Sequence, residues 1–87
     1  MGSYKIEWKG SAEKELRKLD PPHIRQIIQL VASLEENPLP QGYRKLHGTQ
    51  HQYRMRTGDY RVIYEFDPET KVITIYHVRH RKDAYRR

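Results

Sequence analysis

Arginines dominate the residues of this sequence that could do chemistry, and three of them surround one short turn. Arg54 and Arg56 precede Gly58-Asp59, and Arg61 follows it. If Gly58-Asp59 forms a two-residue hairpin loop, Arg56 lies opposite Arg61, and Arg54 lies two residues along on the same face. Like charges directly opposite each other destabilise a sheet. The pattern therefore favours an anion site, although any one of these arginines alone is better explained as a solvated side chain.

The guanidinium group limits the chemistry that such a site can perform. Arginine keeps its proton at any accessible pH, so it is a poor general base. It supplies a rigid fork of donors for a phosphate and for the negative charge that develops when a phosphodiester is cleaved. RNA brings its own nucleophile, the ribose 2′-hydroxyl, so a protein needs only to position the strand, stabilise the transition state and help proton movement. The cluster thus predicts a phosphate site that is suited to RNA cleavage.

A second basic segment, residues 78–87, holds five cations and one acid. Arg86 and Arg87 are typical of a disordered basic tail. Arg81 differs, because it extends a strand that should run antiparallel to the second hairpin strand, which brings it within reach of the arginine cluster. Tyr85 offers a ring that could stack on a base or, alternatively, anchor the segment to the core.

The histidines do not form a recognisable set of metal ligands. His77 and His80 fall on opposite faces of a strand, while His47 and His51 lie in a predicted loop. We interpret them as surface or structural residues, with His80 and His51 as the candidates for proton transfer. No metal and no other cofactor is expected.

Composition and charge limit the classes of protein to which this chain can belong. The chain has 87 residues, no cysteine and a net charge of +6. Residues 1–42 hold six cations and six anions, so the whole net positive charge lies in residues 43–87. A positive charge that is concentrated in this way attracts nucleic acid, an acidic protein or an anionic membrane. The absence of cysteine excludes disulfides and thiolate chemistry. With no apolar span and no signal peptide, we expect one soluble, cytoplasmic domain over residues 1–87.

The first part of the chain predicts a strand and two helices. Residues 4–8 alternate between apolar and charged side chains, as in a strand with one buried face. The first helix is expected to be capped by Ser11 and to stop at Asp20-Pro21-Pro22. The second is expected to be capped by Asp20 and to end at Asn37-Pro38. The two helices should cover one side of a sheet.

The rest of the chain has strand patterns. The loops Gly58-Asp59 and Asp67-Pro68-Glu69-Thr70 separate three predicted strands of an antiparallel meander, 53–57, 60–66 and 71–80. Val72 to Val78 is largely apolar on both faces, which is typical of a strand in the middle of a sheet. The predicted fold class is α+β, with two N-terminal helices packed on a twisted antiparallel sheet of about four strands in the order β-α-α-β-β-β.

Over nearly its whole length the sequence resembles the RelE branch of the RelE/ParE toxin superfamily of bacterial and archaeal type II toxin–antitoxin systems. The resemblance is carried by five segments: Leu16-Arg17-Lys18-Leu19, Lys45-Leu46-His47-Gly48, Tyr53-Arg54-Met55-Arg56, Gly58-Asp59-Tyr60-Arg61-Val62-Ile63-Tyr64 and His80-Arg81-Lys82-Asp83-Ala84-Tyr85. It implies a microbial-ribonuclease-like fold and an endonuclease that cuts mRNA in the ribosomal A site. It also implies a cognate antitoxin that wraps the toxin, with operator DNA bound only through that antitoxin.

The resemblance also implies roles for individual residues. The catalytic positions of the RelE family correspond to five residues of this sequence: Arg54, Arg56, Arg61, Arg81 and Tyr85. Arg61 would hold the scissile phosphate, Arg81 would stabilise or protonate the leaving oxygen, and Tyr85 would stack on or orient the base. The best-known RelE enzyme has lysines in place of Arg54 and Arg56, and lysine loses its proton more readily, so the general base is left open. Four further residues are expected to bind the substrate: Lys45, Arg79, His80 and Lys82.

Two other functions are compatible with the same residues. A ParE-like toxin shares the fold but inhibits DNA gyrase instead of cutting RNA. Tyr85 following Arg81, together with the hairpin arginines, favours the ribonuclease. A plain nucleic-acid-binding module, acting with an antitoxin in autoregulation, is the third possibility.

Overall fold

The computed structural model describes residues 3–40, 42–45 and 52–82, which form two helices and five strands. In chain order these are β1 (Lys5–Trp8), α1 (Gly10–Arg17), α2 (Pro21–Leu34), β2 (Arg44–Lys45), β3 (Gln52–Thr57), β4 (Tyr60–Asp67) and β5 (Val72–His80). The predicted α+β class is confirmed. The additional strand, β2, has only two residues and is too short to produce a periodic pattern in the sequence.

The five strands form one mixed sheet in the order β1-β5-β4-β3-β2. The pairings of β3 with β4 and of β4 with β5 are antiparallel, as predicted, and β5 lies inside the sheet, as predicted. The short β2 is also antiparallel to β3. The expectation of a purely antiparallel sheet was wrong at one edge, because β1 runs parallel to β5 with Lys5 opposite Val72. Parallel neighbours need a long connection, and here the two helices and the β2–β4 meander lie between them.

The helix boundaries differ from the predicted ones at the first cap. Helix α1 begins at Gly10 with Lys9 at the N-cap, so the prediction that Ser11 caps it was wrong. The Ser11 hydroxyl instead donates a hydrogen bond of 2.8 Å to the carbonyl oxygen of Tyr76 in β5. Asp20 occupies the N-cap position of α2, as predicted, but its side chain makes no capping hydrogen bond. Among the described residues, neither helix is long and apolar enough to cross a membrane.

The core lies between the helices and one face of the sheet. Helix α2 contributes a buried stripe at helical spacing, and β4 and β5 contribute inward-facing residues. The buried side chains are Ala12, Ile27, Val31, Leu34, Val62, Tyr64, Ile73, Ile75 and Val78. Because the helices cover this face, the opposite face of the sheet is available for function.

A β-bulge in β5 determines which residues occupy that opposite face. Tyr64 of β4 pairs with Ile75, and its neighbour Ile63 pairs with His77. Tyr76 lies between these two partners and is the extra residue of the bulge. Ile75 and Val78 are therefore both buried, although strict alternation would place them on different faces. The bulge thus turns His77 and Arg79 away from the core.

Tyr64 connects the core to the segment that follows α2. Its side chain is fully buried, and its hydroxyl donates a 2.6 Å hydrogen bond to the carbonyl oxygen of Pro38. Burial is the main reason that the pKa of Tyr64 lies well above its ordinary value.

This raised pKa predicts a loss of stability at alkaline pH. A tyrosine ionises near pH 10 in the unfolded chain, whereas Tyr64 keeps its proton to higher pH in the folded chain. Its contribution to the free energy of unfolding is therefore complete below about pH 10 and is lost as the pH rises through the folded-state value. We expect urea denaturation to show a steeper loss above about pH 10 in the wild type than in Tyr64→Phe.

Tyr4, whose ring packs edge to face on Phe66, provides the control for this measurement. Tyr4→Phe should retain the steep alkaline loss of the wild type. Equal slopes for the wild type and Tyr64→Phe would contradict the assignment of the effect to Tyr64.

Candidate active site

The hairpin between β3 and β4 has the register that the sequence predicts. Thr57 pairs with Tyr60, and Arg56 pairs with Arg61. Gly58, the first residue of the two-residue loop, has φ of +60°, a value suited to glycine at the first central position of a type II′ turn. The loop thus fixes which hairpin residues share a face.

A row of three arginines crosses the face opposite the core. Arg61 in β4 lies directly between Arg56 of β3 and Arg79 of β5. Side chains directly opposite each other on neighbouring strands lie about 5 Å apart at their Cβ atoms. The half-buried Arg61 therefore sits between two like charges, an arrangement that lowers stability and that a bound anion would offset.

A second row lies one step further along the strands. Arg54 pairs with Arg44 of β2 on one side and with Ile63 of β4 on the other, and Ile63 pairs with His77. These residues lie on the same face as the first row, because they are two positions away from it along each strand. The two rows together form a surface that we call the arginine face: Arg44, Arg54, Arg56, Arg61 and Arg79.

An open depression of about 310 Å³ lies at one end of this face, and its lining consists of Arg56, Arg61, Arg81 and Lys82. The hairpin loop holds Arg81 in place, since the Arg81 backbone N–H donates a 2.6 Å hydrogen bond to the Asp59 carbonyl oxygen. The Arg81 Nε atom also lies 3.7 Å from Asp59 Oδ1. All four lining side chains are cationic, so the depression suits a phosphate group.

Arg79 belongs to the arginine face but contacts a carboxylate on α1. Its Nε atom lies 3.7 Å from Glu15 Oε2, and its Nη2 atom lies 3.3 Å from His77 Nδ1. The other carboxylate oxygen of Glu15 accepts a 2.9 Å hydrogen bond from the backbone N–H of Val78. The structure therefore places Arg79 beside Arg61 but with its head group directed to Glu15 and His77.

The structure does not bring His80 together with the arginines. His80 pairs with Tyr60 on the other face of the sheet, and the two rings meet edge to face with centroids 5.2 Å apart. Its Nδ1 atom accepts a 3.1 Å hydrogen bond from the backbone N–H of Lys82, which places the proton of the neutral ring on Nε2. His80 therefore lies on the opposite face of the sheet from Arg61. Its role in substrate binding or proton transfer stays a prediction.

Lys45 also lies apart from the arginine face. It pairs with Tyr53, on the opposite face of β2 from Arg44. Sequence reasoning named Lys45 and missed Arg44, because the face that each presents depends on the register of a two-residue strand. It also missed Glu15, whose position beside β5 has no local signal in the sequence.

Several predicted residues lie outside the described part of the chain. Tyr85, His47 and His51 are among them, as are the residues between Lys45 and Gln52. Within the described ranges, histidine, aspartate and glutamate form no group of three that could hold a metal ion.

The far end of the same sheet face has a different character. A larger depression of about 480 Å³ is lined by Glu65, Phe66, Asp67, Pro68, Thr70, Val72 and Thr74. The Tyr76 hydroxyl donates a 2.6 Å hydrogen bond to Glu65, and this bond, with burial, raises the pKa of Tyr76. The carboxylates of Glu65 and Asp67 would repel a phosphate, so the smaller cationic depression is the better candidate site.

Comparison with known proteins places this geometry in a family. Residues 6–85 match the family model described as the ParE toxin of the type II toxin–antitoxin system parDE. A Methanocaldococcus jannaschii protein that carries the name toxin RelE1 is 30% identical over 76 residues, which cover 84% of each chain.

Solved structures agree with these sequence matches. The archaeal RelE–RelB complex from Pyrococcus horikoshii contains a chain that is 34% identical with a TM-score of 0.80, and the match covers 91% of this chain and 96% of that one. The E. coli RelBE toxin–antitoxin complex contains a chain that is 26% identical with a TM-score of 0.77, covering 87% of this chain and 94% of that one. The chain therefore belongs to the RelE/ParE superfamily and is a toxin of a type II toxin–antitoxin system.

Proposed function

We propose that this toxin is an endoribonuclease that cuts mRNA in the A site of the translating ribosome. The observation that carries the proposal is the cationic depression, in which Arg56, Arg61, Arg81 and Lys82 converge. Phosphodiester cleavage needs donors aimed at a phosphate whose negative charge increases in the transition state. Four cations around one open depression meet that need.

Each lining residue has a defined chemical task in this proposal. Arg61, between two other arginines, holds the scissile phosphate while the ribose 2′-hydroxyl attacks the phosphorus. Arg81, fixed by the hairpin loop, stabilises the leaving oxygen. Arg54 lies two residues before Arg56 in β3 and holds the RNA strand beside the depression. Tyr85 retains its proposed role of stacking on the base.

We further propose that a cognate antitoxin inhibits this toxin. The related toxins of Pyrococcus horikoshii and E. coli were solved as complexes with antitoxins. The arginine face would attract an acidic segment of such a partner for the same reason that it attracts RNA. Operator DNA would be bound through the antitoxin, and the place of action would be the cytoplasm, where ribosomes translate.

Primer extension on a message bound to purified ribosomes tests the ribonuclease. We expect new 5′ ends within the codon in the A site when the toxin is added, whereas the same RNA without ribosomes stays intact. Addition of the antitoxin should prevent the cuts. Intact messages on translating ribosomes, at toxin concentrations that arrest growth, would reject the proposal.

Inhibition of DNA gyrase is the second candidate function, and the match of residues 6–85 to the ParE family favours it. This toxin would be a binder without nuclease activity. A supercoiling assay with purified gyrase separates the two functions. The ribonuclease leaves supercoiling unaffected, whereas a gyrase inhibitor stops supercoiling and leaves ribosome-bound mRNA uncut.

A further inference from the structure

We propose that Glu15 is a positioning residue of this site, which acts by holding Arg79 beside Arg61. The inference rests on the proposed ribonuclease function. Glu15 lies on α1, outside the lining of the depression, and its two carboxylate oxygens have different tasks. One oxygen accepts the backbone N–H of Val78, and the other faces the Arg79 guanidinium.

The first task concerns the fold of β5. The parallel partner strand β1 ends at Trp8, opposite Ile75, so beyond that point the edge of β5 has no β1 residue opposite it. The Val78 N–H at this edge finds its acceptor in Glu15 at 2.9 Å. A neutral amide oxygen can also accept this bond, although it does so more weakly than a carboxylate.

The second task needs the negative charge. Arg79 lies opposite Arg61, which lies opposite Arg56, so three positive charges share one row. Glu15 stands at the Arg79 end of that row and offsets part of the repulsion. Both side chains of the Glu15–Arg79 pair are more than half buried, at 30% and 39% exposure, so solvent screens the pair less than it screens a fully exposed one.

Loss of the charge at Glu15 should therefore release the Arg79 head group from its place. Arg79 would then adopt other rotamers, and the field around Arg61 and the bound phosphate would change. Misplacement of a positioning group by about 1 Å can slow a reaction by orders of magnitude. His77 also faces this carboxylate, with its Nδ1 atom 3.4 Å from Glu15 Oε1.

Glu15→Gln separates the two tasks, because glutamine retains an acceptor for Val78 and loses the charge. We expect single-turnover cleavage of ribosome-bound mRNA to slow by on the order of tenfold, with a thermal midpoint between those of the wild type and Glu15→Ala. The concentration of toxin at half-saturation should change little.

Two comparison variants complete this experiment. Glu15→Ala removes both tasks, and it should lower the thermal midpoint as well as the rate. Glu13→Gln makes the same chemical change on the same helix, where the carboxylate pairs with the exposed Arg17 at 3.5 Å, and this variant should cleave at the wild-type rate.

A double-mutant cycle tests whether Glu15 acts through Arg79. Arg79→Ala should slow cleavage by at least as much as Glu15→Gln, and the double variant should be no slower than Arg79→Ala alone. Multiplication of the two effects would overturn the inference, as would a loss of thermal stability in Glu15→Gln equal to that in Glu15→Ala.

The outcomes for the inference and for the proposed function can be told apart. Wild-type cleavage together with wild-type rates for Glu15→Gln would overturn the positioning role and leave the ribonuclease intact. Failure of the wild-type protein to cleave ribosome-bound mRNA would overturn the proposed function and, with it, this inference.

Discussion

Replacement of Arg61 with alanine is expected to slow mRNA cleavage by about 10²- to 10³-fold and to abolish growth arrest. Arg61 lies in the middle of the row of three arginines and lines the depression, so it is the side chain best placed to hold the scissile phosphate. Arg81→Ala should have an effect of similar size, because Arg81 lines the same depression and is held there by the hairpin loop. The measurement is single-turnover cleavage on ribosomes together with colony formation after induction.

Both variants should remain folded. The Arg61 variant removes a charge from between two like charges, and Arg81 is largely exposed, with 59% of its side chain accessible. Circular dichroism and thermal melting provide the check on folding. Arg25→Ala, which removes an exposed cation from α2, is the matched control and should be fully toxic. Wild-type toxicity in both Arg61→Ala and Arg81→Ala would show that the arginine face is only a solvated surface.

The second large effect is expected in the core. Ile75→Ala should reduce the free energy of unfolding by about 2–5 kcal/mol, since Ile75 is fully buried in the interior strand of the sheet. Small domains are stable by only about 5–15 kcal/mol, so this single change could remove a large part of the total. Chemical denaturation followed by far-ultraviolet circular dichroism measures the loss.

Ile28→Ala is the control for this substitution, because Ile28 lies on α2 with 44% of its surface exposed. It should change the midpoint of denaturation by a small fraction of the Ile75→Ala effect. Similar losses in the two variants would contradict the placement of β5 inside the sheet.

The local part of the site could be predicted from the sequence because one turn determines it. Gly58-Asp59 fits a two-residue loop, and that loop fixes the pairing of Arg56 with Arg61. Turn geometry and side-chain alternation are short-range properties, so a few adjacent residues are sufficient to specify them.

The contribution of β5 was harder to predict, although the sequence contains a signal for it. Apolar residues at Ile73 and Ile75 are followed by Val78, which breaks the period of two. The break marks the bulge at Tyr76, and without it Arg79 would point into the core. Composition alone predicts from the same run only a strand that is apolar on both faces.

The other features of the fold and the site depend on contacts between residues that are distant in sequence. The parallel pairing of β1 with β5 and the contact of Glu15 with Arg79 join residues near opposite ends of the described chain. No local propensity encodes such a pairing, because packing and topology decide it. The orientation of Arg44 and Lys45 could not be predicted from local sequence either, since a two-residue strand has no period of its own.

The parallel pairing of β1 with β5 has a consequence for when the toxin becomes active. A nascent chain emerges with its N-terminal residues first, so β1 leaves the ribosome long before its partner β5. Pairing between sequence-distant strands is also slow, because the closure of a long loop costs entropy before the contacts form. The arginine face needs β3, β4 and β5 together. The arginine face is therefore assembled only after β5 has been made, and the ribosome that makes the toxin is not exposed to this face before then.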